Sequence, residues 1–465
     1  MHRKASLITV VSTILHLATR ATADVVNVGL NIQNTQLAPN GVSRSTVTAN
    51  GQYPGPLVSG NIEDQFLIDV VDNLSDPTMR RATSIHWHGV FQHGTTEMDG
   101  PSFVTQCPIV PEQSFLYDFL VPVQTGTYWH HSHLSTQYCD GLRDLWSYTT
   151  LKILMRICMI LVSTIITLAD WYNSVAPALF PNPTNATPGG DLAIILAQPG
   201  KRHRFRLIST SCFPSYTFSI DGHNMTVIEA DGVETEPVTV DSLTIFAAQR
   251  YSVVVTMDQH GLLLQQEAST QPYYVNYDGA PEIDPTSTAT SNLTVLNEAD
   301  HHPLINPGAP GDKVVGGSDV VLTMQIGRAN GQFDINGVPV LLQILSGATQ
   351  ATDLLPTGSV CTLPSNKIVE VNIPGGGNHP FHPHGHTFDV IRVSGSTAYN
   401  FDNPVRRDTV SLCDSSDNVA IRFVTDNPGP WFLHCHIDWH LEGGLAIAFA
   451  EHPEDVAATS PPNAD

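Results

Sequence analysis

Between Asp24 and Arg143 the apolar residues fall in short runs that alternate with polar ones, Phe66 to Val71, Ser114 to Val121 and Gly126 to Trp129 among them, with Gly, Pro or Asn between runs. Period-two patterning on that scale predicts strands with one buried face. The texture returns from Ile165 to Leu296, through KRHRFRLIS, YTFSIDGHNMTVIEADG and DSLTIFAAQRYSVVV, and again from Asp319 to Glu451. With 33 prolines and 34 glycines available for turns, the 465-residue chain reads as all-β, long enough for about three domains. The expected limits are 24–143, 165–300 and 319–465, with a Pro/Gly-rich linker at 301–318 and an anomalous segment at 144–164.

The first residues follow another pattern. His2, Arg3 and Lys4 precede the apolar run Leu7 to Leu17, and Ala21-Thr22-Ala23 offers a small-residue cleavage site, so 1–23 reads as a secretory signal peptide, with an uncleaved anchor as the alternative. Sequons at Asn73, Asn185, Asn224 and Asn292 fit a secreted, extracellular glycoprotein. A formal charge of -23 argues against nucleic acid as a partner. The mature form is expected to be a monomer with no membrane partner.

Candidate chemistry sits in histidines at fixed spacing. Trp431 to Leu445, WFLHCHIDWHLEGGL, sets His434, Cys435 and His436 in a row, with His440 following. Successive side chains of a strand point to opposite faces. Cys435 therefore faces away from His434 and His436, and one strand can serve two metal sites joined by its own backbone. A thiolate with two imidazoles and a weak axial partner is a blue-copper ligand set. His-x-His pairs recur at His86/His88 and His131/His133, and HPFHPHGH supplies His379, His382, His384 and His386. His382 and His384 share a face, whereas His379 points elsewhere if the run is extended. Two sites emerge: His379, Cys435 and His440 in one, the remaining paired histidines in the other. The middle region holds no such pair, so its expected work is packing and part of a substrate surface, with His223 a turn histidine.

These motifs resemble those of the multicopper oxidases, and the surrounding text is similar to fungal laccases of the basidiomycete type. The residues that carry the likeness are IHWHGVFQ, DGPSFVTQCPI, HSHLSTQYCDGLR, ITLADWY, FSIDGHNMTVIEADG, FAAQRYS, DLLPTGSV, HPFHPHGH and DNPGPWFLHCHIDWHLEGG. The resemblance implies three cupredoxin-like Greek-key β-sandwich domains and four coppers. A type 1 copper would take His379, Cys435 and His440, a type 2 copper His86 and His382, and a type 3 pair His88, His131, His133, His384, His434 and His436, the cluster lying between domains one and three. It implies one-electron oxidation of phenols and aromatic amines at the edge of His440, with electrons crossing Cys435 and its neighbours to reduce O2 to water. Asp99 and Asp438 match carboxylates assigned to proton delivery; the alternatives are an ordinary turn Asp and a helix N-terminal Asp. Leu445 occupies the axial position, where leucine cannot coordinate, which implies a more oxidising copper than methionine would give. A Cys139–Cys212 disulfide and a free Cys107 are also implied, while Cys158, Cys361 and Cys413 have no assigned partner.

The departures from the family are as informative. Asp144 to Val162, DLWSYTTLKILMRICMILV, replaces a Gly-Pro opening and a polar run. A buried helix, a membrane span and a local frame slip compete for it. The span is disfavoured because Leu151 to Leu168 is short and carries Lys152 and Arg156. The slip has internal support: Leu151 to Met159 can be encoded so that the same bases, read from the third, give Glu-Asp-Pro-Tyr-Ala-Asn-Met-Tyr, close to the family segment. A Leu-Ile-Asn-Gly loop is absent between Phe180 and Asp191, and Gln259 to Gln271 replaces the usual end of domain two. Phe213 stands where the family has an acidic residue, and Pro383, which lacks an N–H, stands where it has leucine between two ligands. Two alternatives to a laccase follow: a multicopper oxidase with another reductant, such as ferrous iron or ascorbate, and a copper-binding but catalytically silent paralogue. Lignin breakdown, pigment formation and detoxification remain open as roles.

Overall fold

The computed structural model describes residues 23–121, 124–148, 162–183, 186, 194–258, 262–266, 273–277, 293–340, 355–375, 377–412 and 418–459. Their regular structure is almost entirely short strands, and among them no helix is long and apolar enough to cross a membrane.

In the N-terminal third, Gln65–Asn73 shows why the sheets form: Phe66, Ile68 and Val70 point inward at alternate positions while Asp69 faces out. This strand lies between Val25–Leu37 and Ser114–Leu120, with Arg44–Ala49 at the edge. A second sheet, ordered Val58–Gly60, Arg143–Tyr148, Gly126–Ser132 and Ile85–His88, packs over it. Phe66, Trp87 and Trp146 form the aromatic centre, with Trp146 4.7 Å from Phe66 and 4.8 Å from Trp87. The strand Arg143–Tyr148 runs past the expected limit at Arg143. Asp144 to Tyr148 is thus neither helix nor span, because Trp146 completes this core. Residues 149–161 of the anomalous segment lie outside the described residues. Val162–Leu168, the end of the disfavoured span, is a strand paired in parallel with Arg202–Ser209.

The middle third stacks two five-stranded sheets, one containing Tyr216–Ile220 and Ser242–Ile245, the other Arg202–Ser209, Met225–Ala230 and Arg250–Thr256. The C-terminal third repeats the plan. Ile368–Pro374, Asn418–Val424 and Phe388–Arg392 face Ala446–Glu451, Gly429–Cys435 and Pro380–Pro383 across a core holding Phe381, Trp431 and Phe449.

Buried charge joins the thirds. Both terminal guanidinium nitrogens of Arg250, in the middle third, donate to Asp408 in the last at 2.7 Å, and its Nε donates to the Thr127 carbonyl in the first at 3.1 Å. A Cys139–Cys212 disulfide adds a covalent tie, as the resemblance implied. Cys107 and Cys361 are free; Cys158 and Cys413 lie outside the described residues.

Candidate metal centre

Four strands converge where the first and last thirds meet. Ile85–His88 pairs with Gly126–Ser132 so that His86 lies opposite His131, and Pro380–Pro383 pairs with Gly429–Cys435 so that His382 lies opposite His434. His86, His88, His131, His133, His382, His384, His434 and His436 are all buried. The overlapping trios His86/His382/His384, His86/His88/His131 and His133/His384/His434 each bring their ligand atoms within 4.8 Å of one another. His436 completes the group, its ring 5.0 Å from His88 and 5.2 Å from His131.

Five of the eight imidazoles are aimed by the outer nitrogen. Nδ1 of His86, His131, His382 and His434 lies 2.7 to 2.9 Å from the carbonyls of Asp99, Ser132, Asp408 and Cys435, and Nδ1 of His384 lies 2.8 Å from Asp99 Oδ2. A donor held this way leaves Nε2 unprotonated and facing inward. The inward atoms have nothing else to bind: Nε2 of His86, His131 and His382, Nδ1 of His88 and both ring nitrogens of His436 are buried without a hydrogen-bond partner among the described residues. Each such orphan costs about 1–3 kcal/mol. Burial, followed in most cases by neighbouring imidazoles, holds His88, His131, His133, His382, His384 and His436 far below the usual histidine range, and His434 is pushed down to about 3. Neutral, convergent and unpartnered nitrogens fit metal ions and little else.

Cys435 projects from the opposite face of its strand. Its Sγ lies 3.6 Å from His379 Nδ1 and 3.7 Å from His440 Nδ1, and the two nitrogens are 3.0 Å apart. Three ligands at bond lengths of about 2.0–2.3 Å around one ion stand roughly 3.5 Å from each other, so the triangle has the size of a trigonal site. His440 lies in the short helix Asp438–Glu442 and is the one partly exposed member. Leu445 is fully buried in the same core, and its carbonyl accepts from Cys435 N at 3.1 Å.

Pro383 breaks nothing in the ladder. His384 N donates to Phe432 O and His436 N to Pro380 O, so even-numbered positions of this strand bond to Gly429–Cys435. Position 383 faces the other edge, where Val410–Ser411 pairs only with Pro380 and Phe381. Asp99 is fully buried between His86 and His384, and Asp438 opens its helix 3.2 Å from the Cys139 sulfur. His223 lies in a turn, with Nδ1 on the Asp221 carbonyl, and His386 bonds Glu451 at 2.8 Å, away from both groups. Sequence reasoning missed Asp408, whose Oδ1 lies 3.5 Å from His88 Nε2 and whose carbonyl orients His382. It also missed His130, which faces the core beside Asp144.

Three β-sandwiches carrying a Cys/His2 triangle near the surface and a histidine cluster behind it are the layout of a protein that moves electrons between metal ions. The chain belongs to the multicopper oxidase family, whose profiles match residues 31–148, 162–297 and 336–455. Laccase-4 of Trametes villosa is 49% identical, the alignment covering 93% of this chain and 91% of that protein. The crystal structure of a laccase from Botrytis aclada superposes with a TM-score of 0.81 at 28% identity, covering 94% of this chain and 89% of that one. Fet3p, a multicopper oxidase that functions in iron import, gives 0.82 at 27% identity, covering 94% and 93%.

Proposed function

We propose that this chain is a secreted laccase that oxidises phenols and aromatic amines and reduces O2 to water. In this reading His379, Cys435 and His440 hold a type 1 copper, His86 and His382 a type 2 copper, and His88, His131, His133, His384, His434 and His436 a type 3 pair. Bound copper supplies one-electron storage at the triangle and four-electron reduction of O2 at the cluster. The rest of the task falls to the chain. The partly exposed ring of His440 gives a reductant an edge to touch, and the three consecutive residues His434, Cys435 and His436 join the two donor sets by the shortest covalent path a strand allows. Asp99, against His86 and His384, and Asp438, beside the cluster, are the acids placed to pass protons; burial raises the pKa of both, so each holds a proton more readily than an exposed aspartate. Leu445, buried in the same core, would offer a copper held there no donor atom.

The observation that carries the reading is the single strand serving both donor sets. Copper count, visible spectrum and oxygen uptake with a simple phenol, taken on the secreted protein, test it. Four coppers, a blue band and uptake are expected; a blue band without uptake would favour the silent paralogue. The likeness to Fet3p raises iron as the reductant. Against it, the side chains set around the His440 ring are Phe213 and Phe333, with the Arg328 guanidinium over Phe333, none of them acidic, and ferrous iron calls for carboxylates there.

A further inference from the structure

The exposed edge of His440 has neighbours whose chemistry selects among reductants. Phe333 lies 4.4 Å from the His440 ring, ring centre to ring centre, and 5.9 Å from that of His379, while Phe213, 48% exposed, meets His440 edge-on at 5.9 Å. Phe333 belongs to a two-stranded hairpin, Ile326–Ala329 with Gln332–Ile335, whose register sets Arg328 directly opposite it. The Arg328 guanidinium accordingly sits 4.9 Å from the centre of the Phe333 ring. The hairpin is fixed against the helix that carries His440: Phe333 N donates to the Gly443 carbonyl at 2.8 Å. Gly444, at φ +105°, permits the approach, since a Cβ there would meet the Phe333 carbonyl oxygen at 2.7 Å.

The mouth therefore offers two aromatic faces and one exposed cation. This local sign opposes that of the whole chain, whose formal charge is -23. At ionic strength near 0.15 M the screening length is about 8 Å, so remote carboxylates are muted while a charge inside the mouth is felt by whatever docks there. We propose that the His440 mouth is a subsite for anionic aromatic molecules, phenols bearing a carboxylate or sulfonate, whose ring lies against Phe333 and Phe213 and whose anion meets Arg328. The inference rests on the reading of His440 as the point of electron entry, and it ranks substrates within that reading: anionic phenols ahead of neutral ones, protonated amines last.

Binding can be tested apart from turnover. The probes are 4-methoxycinnamate, which lacks a phenolic hydroxyl, and its uncharged methyl ester, titrated calorimetrically into the copper-loaded protein. The anion should bind about three- to fivefold tighter than the ester, the range of a solvent-exposed charge pair. Arg328→Glu should reverse the preference and Arg328→Lys should keep part of it. Phe213→Asp, which sets a carboxylate in the mouth without touching the hairpin, should also turn preference toward the ester. Equal binding of the two probes to the unaltered protein, or a ratio that neither Arg328→Glu nor Phe213→Asp moves, would overturn the subsite. In turnover, ferulate should show the lower KM against its methyl ester, with kcat similar. Failure to oxidise either phenol while the binding preference persists would reject the laccase reading and leave the subsite standing.

Discussion

The eight-histidine cluster and the Cys/His2 triangle are built by opposite means, although one strand serves both. In the cluster, five imidazoles are aimed by an acceptor on Nδ1, four of the acceptors being backbone carbonyls and the fifth the buried carboxylate of Asp99. The triangle sits at the corner between a strand and a five-residue helix, closed by the rings of Phe333 and Phe213 and opening at His440. A site that must exclude everything except a small diatomic and protons is over-determined. One that must touch a bulky reductant keeps an edge exposed.

The largest effect should separate the two outright. Cys435→Ser removes the thiolate from the triangle and leaves the opposite face of the strand intact. Oxygen uptake with a phenol should fall by at least about a thousandfold, since no electron storage remains at the entry point. Metal analysis should still find the cluster coppers. Loss of all copper would show that the two sites do not assemble independently.

Asp408 tests the cluster from the other side. It takes both Arg250 nitrogens, approaches His88 and orients His382. Asp408→Asn keeps the shape and leaves the buried Arg250 guanidinium with Asp231, 3.8 Å away, in place of a bidentate partner, which costs about 3 kcal/mol, the lower end for a broken buried pair. Chemical denaturation should register that loss, copper at the cluster should weaken about 10- to 100-fold, and the blue band should survive. A blue band that fades in step with the cluster would erase the distinction between the two regions.

The sequence and the structure agree best where chemistry follows local spacing. Alternation announced the strands, and the parity of His379, Cys435 and the His-x-His pairs sorted the histidines, because face is set by odd or even separation along a strand. What spacing cannot carry is contact across distant segments. Arg250 and Asp408 are 158 residues apart, and an Arg or an Asp alone has no period. Arg328 meets Phe333 through a hairpin register, and the Arg328/Phe333 pair meets His440 through docking, which no local pattern encodes. Asp144 is a third case. In the sequence it belongs to a stretch unlike the family, yet in the fold it takes a hydrogen bond from Gly55 N within the first core.

That residue allows a test on the two faces of one strand. His131 faces the cluster with its outer nitrogen anchored, whereas His130 faces the core with neither nitrogen bonded among the described residues, 3.8 Å from Asp144. Burial pushes the Asp144 carboxyl up to about 7 and His130 down to about 3. For Asp144 the folded chain binds the proton more tightly than the unfolded chain, so its contribution to stability is fully present below pH 4 and is lost as pH rises toward 7. Asp144→Asn removes that dependence. Relative to the parent, the variant should gain up to about 1.4 kcal/mol per pH unit between pH 4 and 7. Urea midpoints at pH 4.5 and 7.5 read the difference, and an equal offset at both values would show that the carboxyl titrates normally.

The smallest expected effect concerns tuning. Leu445 is buried beside Cys435 and bonded to it and to His440 only through backbone, Leu445 N donating to the His440 carbonyl at 2.9 Å. Leu445→Met nearly conserves volume, which a packed core tolerates at a cost below about 1.5 kcal/mol, and it brings a thioether toward the triangle. An added weak axial donor stabilises the oxidised ion more than the reduced one, so the reduction potential of the blue site should fall. Phenols that are hard to oxidise should slow first, while easily oxidised ones hold their rate, and the copper content of the cluster should not change. Redox titration of the blue band gives the direction directly: a potential that rises, or stays where it was, would mean that the side chain at 445 does not face the metal and that the axial assignment is wrong.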